Sequence, residues 1–199
     1  MKRVCSTVLA LVAASAMLAG CARMAKTEAH KAALGKEKKF AVRVNAGDPS
    51  PYTDKEGNLW QPDKEYAPGG KYGFVGGRTV DRGTDMKIAN TNDPRIYQTE
   101  HYAMTAFRAE VPNRKYTVRL HFAETNANVA SQPGSRIFDV KIQGNTVLPD
   151  LDVMNAAGGD EMALVKVFSR IQVTAGILEI TFEKKKQNPE INGIEILNE

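Results

Sequence analysis

Beyond the first forty residues, apolar and polar side chains alternate in short runs. Phe40, Val42 and Val44 interleave with Ala41, Arg43 and Asn45. Tyr116, Val118, Leu120 and Phe122 interleave with Thr117, Arg119 and His121; Phe138, Val140 and Ile142 interleave with Asp139 and Lys141. Leu178, Ile180 and Phe182 stand opposite Ile177, Glu179 and Thr181, and a final run covers residues 191–197. A period of two sends successive side chains to opposite faces, so each run predicts a strand with one buried face. The breaks carry turn residues: Asn45 to Pro49, Pro112-Asn113, Gln132-Pro133-Gly134, Gln143-Gly144-Asn145 and Ala175-Gly176. No segment sustains the helical period over several turns. Many short strands whose partners lie far apart in sequence predict an all-β fold, an antiparallel β-sandwich of jelly-roll type.

Residues 49–94 break this rhythm. They are dense in Gly, Pro, Asp, Asn and Lys, with isolated aromatics at Tyr52, Trp60, Tyr66, Tyr72 and Phe74. Long ordered loops of this kind are often functional, and their aromatics either pin the loop to the core or face a ligand. The amino-terminal end has a different character. Met1-Lys2-Arg3 precede an uncharged apolar run over residues 4–17, which ends in Leu18-Ala19-Gly20-Cys21. A basic start, a short apolar stretch and small residues before a break mark an export signal too short for a comfortable membrane span. The tetrad Leu18 to Cys21 resembles the bacterial lipobox, which implies cleavage before Cys21, acylation of that cysteine and a membrane anchor of several acyl chains. Residues 22–39 are mostly Ala, Lys and Glu with little to bury, and read as a tether. The expected organisation is a lipoprotein signal over 1–20, a lipidated Cys21 and flexible tether over 21–39, and one β-sandwich domain over 40–199. The expected place is the cell envelope, at the outer membrane or cell surface.

Composition narrows the chemistry. The formal charge is +4, and removal of Lys2 and Arg3 with the signal leaves +2, with bases spread among acids. A nucleic-acid partner would need a concentrated basic face, and none is expected. The two cysteines are Cys5 and Cys21, so the domain after residue 39 holds no disulfide and no cysteine nucleophile. Neither a Gly-x-Ser-x-Gly elbow, a phosphate loop nor a His-Glu-x-x-His pair occurs. Asp150 with Asp152, and Asp160 with Glu161, are the notable acid pairs. Asp150 and Asp152 follow Leu148-Pro149, where short acids hydrogen-bond turn amides, so no hydrolase is expected. With only His30, His101 and His121 available, no metal and no cofactor is assigned, although carboxylates and carbonyls of a loop leave calcium open.

The run 96–102, Ile-Tyr-Gln-Thr-Glu-His-Tyr, concentrates groups suited to binding. Its tyrosine rings offer apolar faces, and an amide, a hydroxyl, a carboxylate and an imidazole lie between them. Together with Arg43-Val44-Asn45-Ala46-Gly47, Leu120-His121-Phe122-Ala123-Glu124, Arg136-Ile137-Phe138-Asp139-Val140 with Gly144, Leu151-Asp152-Val153 and Gly193-Ile194-Glu195-Ile196-Leu197, this run resembles the malectin domain in order and spacing. The resemblance covers nearly all of residues 40–198. It implies a malectin-type β-sandwich that binds a polysaccharide or oligosaccharide without altering it, in a concave site lined by aromatics and an aspartate.

Carried over by position, Tyr102 corresponds to one sugar-contacting aromatic. Thr125-Asn126 stand where the family's lectin has Tyr-Phe, and Gln187-Asn188-Pro189 where it has Asp-Asn-Pro. The expected carbohydrate-binding residues are therefore Tyr102 with Trp60 and Tyr72 as stacking rings, and Glu100, Thr125, Asn126 and Gln187 as polar contacts. The alternative reading is a lipoprotein that keeps the sandwich, has lost the sugar site, and serves a structural role or binds a protein partner.

Overall fold

The computed structural model describes residues 40–126, 128 and 132–199. The expected signal, the acylated Cys21 and the tether lie outside the described residues. Two sheets carry the fold. One has four strands in the order β1 (Ala41–Asn45), β14 (Gly193–Asn198), β8 (Lys115–Phe122) and β11 (Leu164–Gln172). The other has five, in the order β10 (Asn145–Leu151), β9 (Ile137–Ile142), β12 (Ile177–Lys186), β7 (Ala106–Glu110) and β4 (Tyr72–Val75). Their strand pairs are all antiparallel. The apolar members of each alternating run meet in a single core: Tyr116, Val118, Leu120, Phe122, Ile194 and Ile196 from the first sheet, Phe74, Phe107, Phe138, Val140, Leu178 and Ile180 from the second. That is the sandwich the pattern predicts.

Three elements that the alternation did not announce have physical reasons for their silence. Strand β11 exposes Val165 and Val167, while Lys166 is only part-buried, and a register shift between Phe168 and Ile171, with Arg170 at φ 60°, interrupts its period. Strand β10 contains Pro149 and two register shifts, tolerated because it is the edge of its sheet. The helix α1 (Val153–Ala157) has only five residues, too few to show a period. It is fixed by its ends instead: Asp152 Oδ1 accepts the amide of Asn155 at 3.0 Å, and Gly158 closes it at φ 91°. Asp152 thus serves turn and cap amides, as its context predicted.

The loop region 49–94 is more ordered than its composition suggests. It supplies the hairpin of β2 (Tyr52–Thr53) with β3 (Leu59–Trp60), then β4, and then β5 (Arg78–Asp81). Strand β5 pairs with β6 (Thr99–Tyr102), which also pairs with β13 (Glu190–Ile191), giving a separate three-stranded sheet. The site is built on this small sheet.

Candidate functional site

Pairing dictates which side chains share a face. Tyr102 stands opposite Glu190 on one side and Arg78 on the other, and Glu100 stands opposite Val80. Because the side-chain period is two, Glu100, Tyr102, Val80 and Glu190 emerge together, while His101 and Thr99 turn away. Beyond the end of β5, the Arg82 amide donates to the Gln98 carbonyl at 2.8 Å, which extends this face by one row. The chain after β8 brings Glu124, Thr125 and Asn126, and the turn before β13 brings Gln187 and Asn188. These elements enclose an open cavity of about 190 Å³, lined by Val80, Arg82, Glu100 and Tyr102 from the sheet and by Asn126, Arg136, Gln187 and Asn188 around it.

The cavity floor is a network of charges. Glu100 is buried and accepts from Arg82 Nη2 at 3.2 Å and from the Thr125 hydroxyl at 2.7 Å, and Arg82 Nε donates to that same hydroxyl at 3.3 Å. Arg136, also buried, donates from Nε to Glu124 Oε2 at 2.7 Å and from Nη1 to the Asn188 carbonyl. Both carboxyl oxygens of Glu190 are buried without a hydrogen-bond partner among the described residues. Burial drives the Glu190 pKa well above the ordinary carboxylate value; Arg136 opposes this, and the charges of Glu124 and Glu100 reinforce it. Arg136 shows the converse: burial works against its charge, but Glu190 and Glu124 outweigh burial and raise its pKa.

The run 96–102 divides between framework and site. Its start is a 3-10 turn, Pro94–Tyr97, and Tyr97 is buried with its hydroxyl 2.9 Å from His121 Nδ1. His121 Nε2 lies 3.1 Å from Glu195 Oε1, so the ring nitrogen donates to that carboxylate. Burial lifts the Tyr97 pKa above its ordinary value, with Glu195 and Asp93 adding to it. Gln98 ties down the neighbouring loop through the carbonyls of Thr84 and Met86, at 3.1 and 2.9 Å. His101 stacks on Phe74 with ring centroids 4.0 Å apart, and its ring nitrogens lie 2.8 Å from Asp63 Oδ2 and 2.9 Å from the Gly76 carbonyl. At Gly77 (φ 97°) a Cβ would lie 2.4 Å from His101 Nε2, so only glycine lets β5 approach β6 here. Tyr102, half-buried, is the member of the run that reaches the cavity with Glu100.

Of the residues expected to bind, the structure gathers Tyr102, Glu100, Asn126 and Gln187 around this cavity. Thr125 lies beneath it, holding Glu100. Trp60 and Tyr72 are elsewhere, which corrects the expectation that they stack beside Tyr102. Trp60 is 2 % exposed and packs with Ile88, Ile96, Tyr97 and Ala123 in a second core, its indole N–H donating to Asp54 Oδ2 at 2.9 Å. Tyr72 lies in β4 within the main core; its hydroxyl donates to the Pro62 carbonyl at 3.0 Å, and Lys64 Nζ sits 4.1 Å over its ring. Each edges a different cavity, of about 230 Å³ for Trp60 and 490 Å³ for Tyr72. Burial of their rings on sandwich and loop cores claimed them first.

Sequence reasoning missed Val80, Arg82, Arg136, Asn188 and Glu190 as site residues. The signal for Glu190 was present: an acid beside a closing run otherwise supplied by Ile191, Ile194 and Ile196. Arg82 gave none, because β5 is four residues long and sits among glycines. Among the described residues no cluster of three or more His, Cys, Asp or Glu is placed to hold a metal ion.

A family model described as Malectin domain matches residues 40–195. Malectin-B of Xenopus laevis is 33% identical over 87 residues, covering 41% of this chain and 30% of that protein. Among solved structures, a Bacteroides uniformis beta-glucuronidase superposes with a TM-score of 0.71 at 25% identity, over 80% of this chain and 18% of the enzyme's. A structure of plant peptide RALF23 in complex with FER and LLG2 gives a TM-score of 0.67 at 18% identity, over 80% of this chain and 48% of that one. The chain spans only 13% of the length of one curated relative, receptor-like protein 4 of Arabidopsis thaliana, and 30% of Malectin-B.

Proposed function

The chain belongs to the malectin-domain family, a carbohydrate-binding fold family, and from that premise we propose that it is a non-catalytic module that binds a glycan at the cavity beside Tyr102. The observation that carries this is the pairing of one half-buried aromatic ring with a polar rim: Tyr102 beside Asn126, Gln187 and Asn188. A pyranose shows C–H groups on its faces and hydroxyls at its edge, so a ring takes the face while amides engage the rim. The cavity is smaller than the ~300–1,000 Å³ clefts that enclose whole ligands, which favours one sugar residue held in the cavity with the rest of the chain in solvent.

Glycosidase chemistry needs two carboxyl groups facing one bond. Here Glu100 is engaged by Arg82 and Thr125, and Glu190 is fully covered, so neither is presented for that work. The glucuronidase likeness involves under a fifth of that enzyme, which fits a shared accessory module.

Glycan-array screening followed by calorimetry on the best ligand tests the reading. Tyr102→Ala is expected to weaken binding about tenfold, the worth of one stacking contact. Binding unchanged in that variant would move the site elsewhere, and no glycan bound by the wild type would end the proposal. A second reading, a protein-interaction module, draws on the burial of Trp60 and Tyr72, which leaves Tyr102 as the single aromatic at the rim among the described residues. Plant relatives of the fold occur with a peptide partner. A partner captured in cells whose binding ignores Tyr102→Ala and free sugar would favour it. We also propose that the chain is an exported lipoprotein anchored through Cys21, on the strength of the signal-like run and the Leu18-Ala19-Gly20-Cys21 tetrad.

A further inference from the structure

Resting on the glycan reading of this cavity, we infer that the sugar residue it selects carries a carboxylate, as a uronic acid does, and that Arg82 is the residue that determines this choice. The direction in which the charges face is what points there. Among the described residues Glu100 is the only carboxylate lining the cavity, and both of its oxygens already hold donors, from Arg82 and Thr125. Its side chain is 2% exposed, against 22% for Arg82. Arg82 spends Nε on Thr125 and one bond of Nη2 on Glu100, while Nη1 meets no acceptor among the described residues. The cavity is therefore acid inward and guanidinium outward. A planar guanidinium edge matches the two oxygens of a carboxylate, and such charge-assisted pairs are stronger than amide–hydroxyl bonds.

The charges below do not forbid an anion. Arg82 is matched by Glu100 and Arg136 by Glu124, so Glu190 is the odd acid of the group. It is buried without a partner, and burial raises its pKa, the direction that favours its uncharged form and lessens the negative charge under the ligand. The side-chain amides of Asn126, Gln187 and Asn188 add donors at the rim. A neutral pyranose would engage the amides and the Tyr102 ring but would offer Arg82 Nη1 only a hydroxyl. With Trp60 and Tyr72 in the cores, the site is rich in charged donors and poor in aromatic faces, the reverse of what a neutral sugar uses best.

The test compares one polymer with itself. The full chain is titrated by calorimetry with oligosaccharides of a glucuronan, an alginate and a polygalacturonate, and with the same oligosaccharides after chemical reduction of their carboxyl groups, alongside a neutral-glycan array. The expected result is that at least one acidic ligand binds about tenfold or more tightly than its reduced form, the return on one charge-assisted hydrogen bond. Arg82→Gln is expected to erase that ratio while residual binding to the sugar backbone persists, and Arg82→Lys to keep part of it. Should Arg82→Gln not fold, by circular dichroism, the wild-type ratio and Arg82→Lys still decide. Equal binding of both forms, or binding confined to neutral glycans, overturns this inference and leaves the glycan reading standing. A preference that survives Arg82→Gln in full marks adsorption elsewhere on the surface and overturns it too. Binding to nothing in either set overturns both.

Discussion

Glu190 presents no surface to solvent and no hydrogen bond to its carboxyl oxygens among the described residues, a rare state for an acid in a folded chain. Burial is the first cause of its raised pKa, partly offset by Arg136 and reinforced by Glu124 and Glu100, with Arg82 opposing. Folded chains keep this proton where unfolded chains release it. Above the ordinary carboxylate value the unfolded state thus binds fewer protons, and stability falls as pH rises toward the folded-state pKa. Glu190→Gln removes that dependence while keeping shape. The stability of this variant relative to wild type should grow with pH above about 4.5, by at most about 1.4 kcal/mol per pH unit. Urea denaturation from pH 4 to 8 measures it, and parallel curves for the two proteins would show that Glu190 ionises in the fold. This residue was readable as an acid among isoleucines, yet its role was not, because two of its neighbours, Arg82 and Glu100, are about a hundred residues distant.

At the scale of elements, the run 96–102 is informative because it changes structure midway. A 3-10 turn holds Ile96 and Tyr97, and β6 begins at Thr99, so the two tyrosines five positions apart serve different purposes. Tyr97 joins Trp60 and Ile96 in the smaller core and hydrogen-bonds His121, whereas Tyr102 borders the cavity. Composition alone could not separate them, since both are Tyr beside polar residues. The contrast is measurable. Trp60→Ala removes a buried ring and its bond to Asp54 and is expected to cost about 3–5 kcal/mol by thermal or urea unfolding. Tyr102→Ala is expected to cost less, about 1–2 kcal/mol, since its ring is only partly buried and stands at the cavity rather than in either core. A loss at Tyr102 comparable to that at Trp60 would make Tyr102 a core residue and weaken its claim to a ligand.

For the molecule as a whole, a rigid two-sheet core supports a cavity that the smaller sheet and its neighbouring turns compose. An ionic bridge ties three strands of the first sheet, with Glu195 accepting from Arg43 Nε at 2.8 Å and from His121 at 3.1 Å. Burial pushes against the Glu195 charge, but the His121 bond and the charges of His121 and Arg43 outweigh it and lower its pKa. The proposed anchor also belongs to this scale. Cells making the chain are expected to incorporate an alkyne-tagged fatty acid into it and to retain it in the membrane fraction, while Cys21→Ser loses both. Retention and labelling unchanged by that substitution would dispose of the anchor.

The alternation along the chain is enough to dictate the sandwich. Residues 116–122, 138–142 and 177–182 alternate with period two, and burial of one face leaves a chain of such runs little choice but to stack two sheets. The sequence also pointed to Tyr102, Glu100, Asn126 and Gln187 through their places in family motifs. Tertiary structure decided the rest, because it depends on which distant segments meet. Trp60 and Tyr72 went to cores, and Arg82, Arg136 and Glu190 came together under the cavity from three separate stretches of chain. Local pattern reports the face a side chain takes within its own strand. Only the pairing of β5, β6 and β13 determines which charges share a floor, and that pairing joins Val80 to Glu100 and Tyr102 to Glu190, residues of separate stretches of the chain.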